Sequence, residues 1–172
     1  MRARPRLAAA AVVVLGLAPA LGGCGFTPLY ASPTARSELP AIQVVAPQGR
    51  VAYLLREDLD DVLGRDKAAP AAWRLEFTLV QTRDPRGLNL NDVAERYVVG
   101  LTVSYTLTSV ATGKVAHSGQ VSTEVFYDAT DAPYAGIAAR QNSQERVAAD
   151  AARRIQIDVA AWMARHSGPE GG

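Results

Sequence analysis

An α+β two-layer sandwich, with two helices packed on one face of a small, mostly antiparallel sheet, is the fold class this 172-residue sequence predicts. Two kinds of apolar spacing carry that expectation. Residues 73–79 and 97–107 alternate apolar and polar, the pattern of strands with one buried face. Residues 51–62 and 148–162 instead repeat apolar residues at steps of three and four, the pattern of amphipathic helices. Their order along the chain, β-α-β-β-β-α, places helices in one layer and strands in the other.

The elements follow in turn. Ile42-Gln43-Val44-Val45 reads as a short strand, stopped by Pro47-Gln48-Gly49. From Val51 the apolar positions Leu54, Leu55, Leu59 and Val62 form one helix face, leaving Arg56, Glu57, Asp60 and Asp61 for solvent. Gly64 is a natural C-terminal stop, and Arg65 to Pro70 a polar connection. Trp73, Leu75, Phe77 and Leu79 alternate with Arg74, Glu76 and Thr78 in a second strand. Arg83-Asp84-Pro85-Arg86-Gly87 is expected to interrupt it, with Asn89 to Asp92 continuing a polar connection. Tyr97, Val99, Leu101, Val103, Tyr105 and Leu107 share one face of the third strand, and Thr102, Ser104, Thr106 and Thr108 the other. Ala111-Thr112-Gly113-Lys114 reads as a hairpin turn into a strand from Val115 to Tyr127, where Gly119 marks a bulge or an edge. Asp131-Ala132-Pro133 reads as a helix entrance with a capping carboxylate and an early proline. Ala148, Ala152, Ile155, Val159 and Trp162 then draw a narrow apolar stripe opposite Arg146, Asp150, Arg153 and Arg154. Ile157 points away from that stripe. The expected core holds Trp73, Phe77, Leu101, Val103, Leu107, Ile155 and Val159.

The N-terminus is organised differently. Arg2, Arg4 and Arg6 precede an apolar run from Leu7 to Leu17, and small residues follow. A positive region, a short hydrophobic region and a small-residue cleavage site are the parts of a secretory signal. The run is shorter than the about 20 residues a bilayer crossing needs. Leu21-Gly22-Gly23-Cys24 resembles the bacterial lipobox, in which the cysteine becomes the lipid-bearing N-terminus, and Cys24 is the chain's only cysteine. Two or three acyl chains, at about 0.8 kcal/mol per buried CH₂, hold a protein durably where one does so marginally. The expected organisation is a signal peptide over 1–23, a lipidated tether over 24–39 with Pro28 and Pro33, a domain over 40–166 and a disordered tail over 167–172.

Cleavage leaves 149 residues, enough for one domain that buries roughly 68–70% of its unfolded surface without staples. The signal takes three basic residues with it, so the mature part carries 15 basic against 17 acidic side chains. That balance argues against a nucleic-acid partner, which calls for a basic excess.

Cys24-Gly25-Phe26-Thr27-Pro28-Leu29-Tyr30 resembles the opening of the LptE lipopolysaccharide-assembly lipoproteins, in particular their alphaproteobacterial forms. The similarity continues through Tyr53-Leu54-Leu55, Arg83…Leu88…Leu90, Ala94-Glu95-Arg96, Tyr105-Thr106-Leu107, Thr112-Gly113 and the alanine-rich last helix. Asn142-Ser143 departs from it, standing where an acidic residue and alanine are common. The resemblance implies an outer-membrane lipoprotein on the periplasmic side. Such a protein plugs and helps assemble the LptD barrel and acts in lipopolysaccharide transport without being a catalyst. It also implies lipopolysaccharide as a ligand, and no cofactor beyond the covalent lipid on Cys24. A barrel lumen is polar. The threonine-rich strand face either meets such a wall or simply solvates a free sheet face.

No enzyme chemistry stands out. His117 lies within a strand pattern and His166 near a helix end, with no nucleophile motif and no Cys/His metal spacing, so no catalytic or metal-ligating residues are expected. Glu57, Asp58, Asp60 and Asp61 diverge around a helix and read as a solvated acidic face. Arg83, Arg86 and Arg96 form a basic cluster suited to bidentate phosphate contact, here the lipid A phosphates. The competing reading is a solvated loop in which Arg83 or Arg86 pairs with Asp84. A second functional class, an accessory lipoprotein of a lipid ABC transporter facing the periplasm, is compatible with the same features. Gly25 after the cysteine, in place of the aspartate that retains enteric lipoproteins at the inner membrane, favours the outer membrane.

Overall fold

A computed structural model describes residues 38–88, 94–129 and 132–166. The expected signal peptide, Cys24, most of the expected tether, the Asn89–Asp92 stretch, Asp131 and the C-terminal residues 167–172 lie outside the described residues. After a 3-10 turn at Leu39–Ala41 the elements are β1 (Ile42–Val45), α1 (Arg50–Val62), β2 (Trp73–Leu88), β3 (Ala94–Ser109), β4 (Val115–Asp128) and α2 (Pro133–His166). This is the expected β-α-β-β-β-α order.

Strands stand in the order β1-β2-β3-β4. β1 runs parallel to β2, from Ile42 opposite Trp73 to Val45 opposite Glu76, so α1 is the crossover of a βαβ unit. The other two pairings are antiparallel hairpins. The sheet is mixed, with a single parallel pair. β1 covers only the first four residues of β2, and from Phe77 onward β2 has no strand neighbour on that side among the described residues.

Alternation decides what is buried. Leu75, Leu101, Val103 and Leu107 point inward, and both helices lie over them. α1 contributes Val51, Ala52, Leu55 and Leu59. Gly64 adopts φ +65°, the left-handed conformation that lets the chain leave the helix at low cost. The face α2 buries is wider than the expected stripe. Val147, Ala151, Ala160 and Met163 are buried along with Ala148, Ala152, Ile155 and Val159. The reason is geometric: α2 packs against α1 and against β4 together, so two flanks of the helix lose solvent. Ile157 is exposed, as its phase requires, and Trp73 is only partly buried.

One expectation is overturned. Arg83–Gly87 does not interrupt β2, which continues to Leu88 in unbroken register, with Arg83 opposite Val99, Pro85 opposite Tyr97 and Arg86 opposite Arg96. A proline is tolerated on an edge strand, whose outward side has no ladder to complete. At the last helix the first turn closes on Ala132, whose carbonyl accepts from Gly136 N at 3.0 Å, with Pro133 at the first helical position.

Candidate functional site

The strand phase divides the three arginines between the two faces of the hairpin. Arg83 is on the core side, where Tyr97 and Tyr127 are directly paired across β3 and β4 and stack with centroids 5.3 Å apart. Its guanidinium carbon lies 3.5 Å from the Tyr97 ring centroid, and Nε donates to Tyr127 Oη at 2.5 Å. A cation over an aromatic face is held electrostatically, and a planar guanidinium stacks especially well. Arg86 and Arg96 alternate to the opposite face, where they are Cα partners in a row that ends in Asp128. Arg96 Nε donates to Asp128 Oδ1 at 2.9 Å, and the two arginines, Gly87 and Asp128 line a shallow cavity of about 540 Å³. The structure therefore brings Arg86 and Arg96 together and sets Arg83 apart. Neither Arg83 nor Arg86 shows the pairing with Asp84 that the loop reading required.

Further down the same outer face, the rows Glu76–Thr106–Ser118, Thr78–Ser104–Gln120 and Val80–Thr102–Ser122 present mostly polar side chains, short hydroxyls prominent among them, with Val80 the exposed apolar exception. Thr102 and Ser122 share a hydrogen bond at 3.1 Å, and Gln120 Nε2 donates to Ser104 Oγ at 3.0 Å. No helix covers this face among the described residues. It holds a broad concavity of about 490 Å³ between Glu76, Thr78, Ser104, Thr106 and Ser118. Its hydroxyls are available to a partner.

On the inner side, sequence reading missed a polar cluster assembled from three elements. Tyr105 on β3 donates its hydroxyl to Asp158 on α2, and His117 Nε2 on β4 lies 2.9 Å from the same carboxylate oxygen. Burial raises the Tyr105 pKa, reinforced by that hydrogen bond and by the Asp158 charge. Burial acts to raise Asp158 too, but the hydrogen bonds from Tyr105 and His117, helped by the charge of Arg165, hold its carboxyl below the usual range. The His117 ring stacks on Trp162, whose ring also meets His166 and, edge-on, Trp73. Gly119 makes the arrangement possible: a Cβ there would lie 2.5 Å from Tyr105 Oη and 2.9 Å from Asp158 Oδ2. A glycine inside a strand signals such close approach, and this one sits on the edge strand β4. The register irregularity lies nearby, between Leu107 and Thr108.

Among the described residues, no three His, Cys, Asp or Glu side chains are grouped to hold a metal ion, and no helix is long and apolar enough to cross a membrane. The fold is that of a group of solved bacterial lipoproteins. A lipoprotein of Caulobacter crescentus CB15 is similar with a TM-score of 0.68 and 43% identity, over 77% of this chain and 97% of that one. The rare lipoprotein B from Shewanella oneidensis is similar in fold, with a TM-score of 0.56 at 16% identity over 73% of this chain and 96% of that one. Lipoprotein B from Nitrosomonas europaea gives 0.55 at 17%, over 75% and 86%. No curated protein sequence matches the chain. The family described as "LptE: Lipopolysaccharide-assembly" matches residues 39–159, and the chain belongs to that family.

Proposed function

We propose that this chain is an outer-membrane lipoprotein that plugs and helps assemble an LptD-like barrel for lipopolysaccharide transport. In this reading it is held on the periplasmic side by acyl chains on Cys24. It acts as a stoichiometric partner, without turnover of its own. Family membership across residues 39–159, nearly all of the folded body, is the observation that carries the reading. The bare outer face of the sheet supplies a physical means, because short hydroxyl side chains on a pleated surface can hydrogen-bond a polar lumen wall. Arg86 and Arg96 are the side chains best placed to meet a lipid A phosphate, with Asp128 as the competing acceptor. Arg83 contributes mainly by stiffening the hairpin that carries them.

Affinity purification of the native lipoprotein from detergent-solubilised membranes tests the main point. The expected co-purifying protein is an LptD-like barrel in equal amount, cross-linked from a photoreactive residue at Thr106 or Ser104. Recovery of an inner-membrane permease in its place overturns the reading in favour of a transporter accessory. Replacing Arg83, Arg86 and Arg96 with glutamine is expected to weaken salt-sensitive lipopolysaccharide binding while barrel association persists. Loss of barrel association with lipid binding intact assigns the arginines to the protein interface.

A further inference from the structure

The end of the sandwich where the folded body begins has its own surface chemistry. Trp73 Nε1 donates to Glu38 Oε2 at 3.0 Å, and Ala72 N to Ala41 O at 3.0 Å, which ties the chain's entry to the start of β2. The β3–β4 turn closes the same end, with Val110 N donating to Ala72 O at 3.0 Å. Val110 and Val115, 49% and 61% exposed, stand either side of the turn Ala111-Thr112-Gly113-Lys114. The chain's two lysines, Lys67 and Lys114, both lie here, Lys67 on the connection that Asp66 N fastens to Pro40 O. Lys67 has Asp60 at 4.0 Å, whereas no acidic side chain is within ion-pair distance of Lys114 among the described residues.

We propose that this end docks on a phospholipid surface. Val110 and Val115 enter the headgroup region, and Lys114 and Lys67 face anionic headgroups. The choice of leaflet rests on the Cys24 anchor proposed above. Cys24 and Glu38 are 14 residues apart, a reach of at most about 50 Å. The segment that follows Cys24 therefore joins the body at this end, which lies within that reach of the anchored lipid. The opposite end also exposes apolar side chains, Phe126 at 53% and Tyr134 at 88%. Phe126 stands opposite Val98, itself opposite Asp84, 11 residues along β2 from Trp73, or about 36 Å further from the entry end at about 3.3 Å per residue. Cations near an anionic leaflet are attracted within a Debye length, and a shallow apolar contact beside an acyl anchor adds a second membrane signal.

The test is flotation of the full mature chain carrying Cys24→Ala, which removes acylation, with vesicles of phosphatidylethanolamine and phosphatidylglycerol. Weak binding is expected, reduced at least about tenfold by Val110→Asp with Val115→Asp. Lys67→Gln with Lys114→Gln should make the remaining binding insensitive to phosphatidylglycerol content and to salt. Val110→Ser with Val115→Ser, a milder change at an exposed turn, should lower binding while the thermal melt stays in place. Absence of vesicle binding, binding unchanged by the valine substitutions, or binding abolished instead by Phe126→Asp with Tyr134→Asp overturns the proposal. So does loss of barrel co-purification in the valine variants without any vesicle binding, which would make this end a protein contact. The anchor is read separately, from the mass of the wild-type chain extracted from membranes. An unmodified Cys24 removes the anchor reading whatever the vesicles show.

Discussion

The lower and upper halves of the β2–β3 hairpin obey the same alternation and solve different problems with it. In the lower half Leu75, Leu101 and Leu107 point inward under two helices and are completely buried. Val99 is the last fully buried inward residue of β3; beside it stands Arg83, and beyond it Tyr97 and, from β4, Tyr127, at the margin of the core. Aliphatic side chains gain most where all their surface is lost to water. Where cover runs out, aromatic rings keep an apolar body and a polar tip, and a guanidinium can lie over them while its remaining donors stay wet. One continuous ladder thus passes from a dry core to a half-wet stack, and the residue type follows the available cover rather than the secondary structure.

The largest expected effect tests the dry half. Leu101→Ala or Ile155→Ala should cost about 2–5 kcal/mol, seen as a lower thermal midpoint. A melt unchanged by both would contradict the phases of strand and helix. Next is Gly119→Val, which places a side chain where Tyr105 and Asp158 meet. Overpacking of that kind costs about 1–3 kcal/mol, and Tyr105→Phe in the same chain should recover part of it by removing the hydroxyl.

A smaller effect follows from the charges of that cluster. Tyr105 holds its proton more firmly in the folded chain than tyrosine normally does. Its contribution to stability is therefore complete below pH of about 10 and is lost as the pH rises further. Asp158, with its carboxyl held below the usual range, contributes stability present above pH of about 4 and lost as the pH falls through its folded value. Denaturation followed across pH should show both declines. Tyr105→Phe should flatten the alkaline one and Asp158→Asn the acid one; declines identical to wild type in both variants would count against the cluster. The smallest effect belongs to the half-wet stack: Arg83→Lys, which keeps charge but loses the planar fork, should cost about 0.5–1 kcal/mol. A larger loss would mean that the upper half supports the core more than its exposure suggests.

The fold was legible in the sequence wherever burial and periodicity coincide. Trp73 to Leu79 and Tyr97 to Leu107 declare their faces, and Val51 to Val62 declares its helix, because a single side of each is covered. The upper part of β2 was not legible. Arg83-Asp84-Pro85-Arg86-Gly87 has the composition of a turn, and only its pairing with β3 makes it a strand. The width of the α2 stripe also depends on a second packing partner that no local pattern reveals. Of the candidate site, the arginines were visible by type, but their division between two faces needed the strand phase. The Tyr105–Asp158–His117 cluster joins residues from three elements, and Gly119, noted as a bulge or an edge, was its single local trace.

β1 accompanies β2 for four residues and then leaves it, so that among the described residues the rest of that strand offers one side of its backbone to an extended chain that approaches. Such an edge invites stacking of one molecule on the next, a route to aggregates. Proline cannot donate to an incoming strand, and closely spaced charges resist the loss of water that stacking requires. The Arg-Asp-Pro-Arg segment supplies both in the upper part of this exposed edge. The same residues that disguise the strand as a turn thus guard it against self-association, and changing Pro85 to valine would remove the proline's part of that guard and leave the charges to act alone.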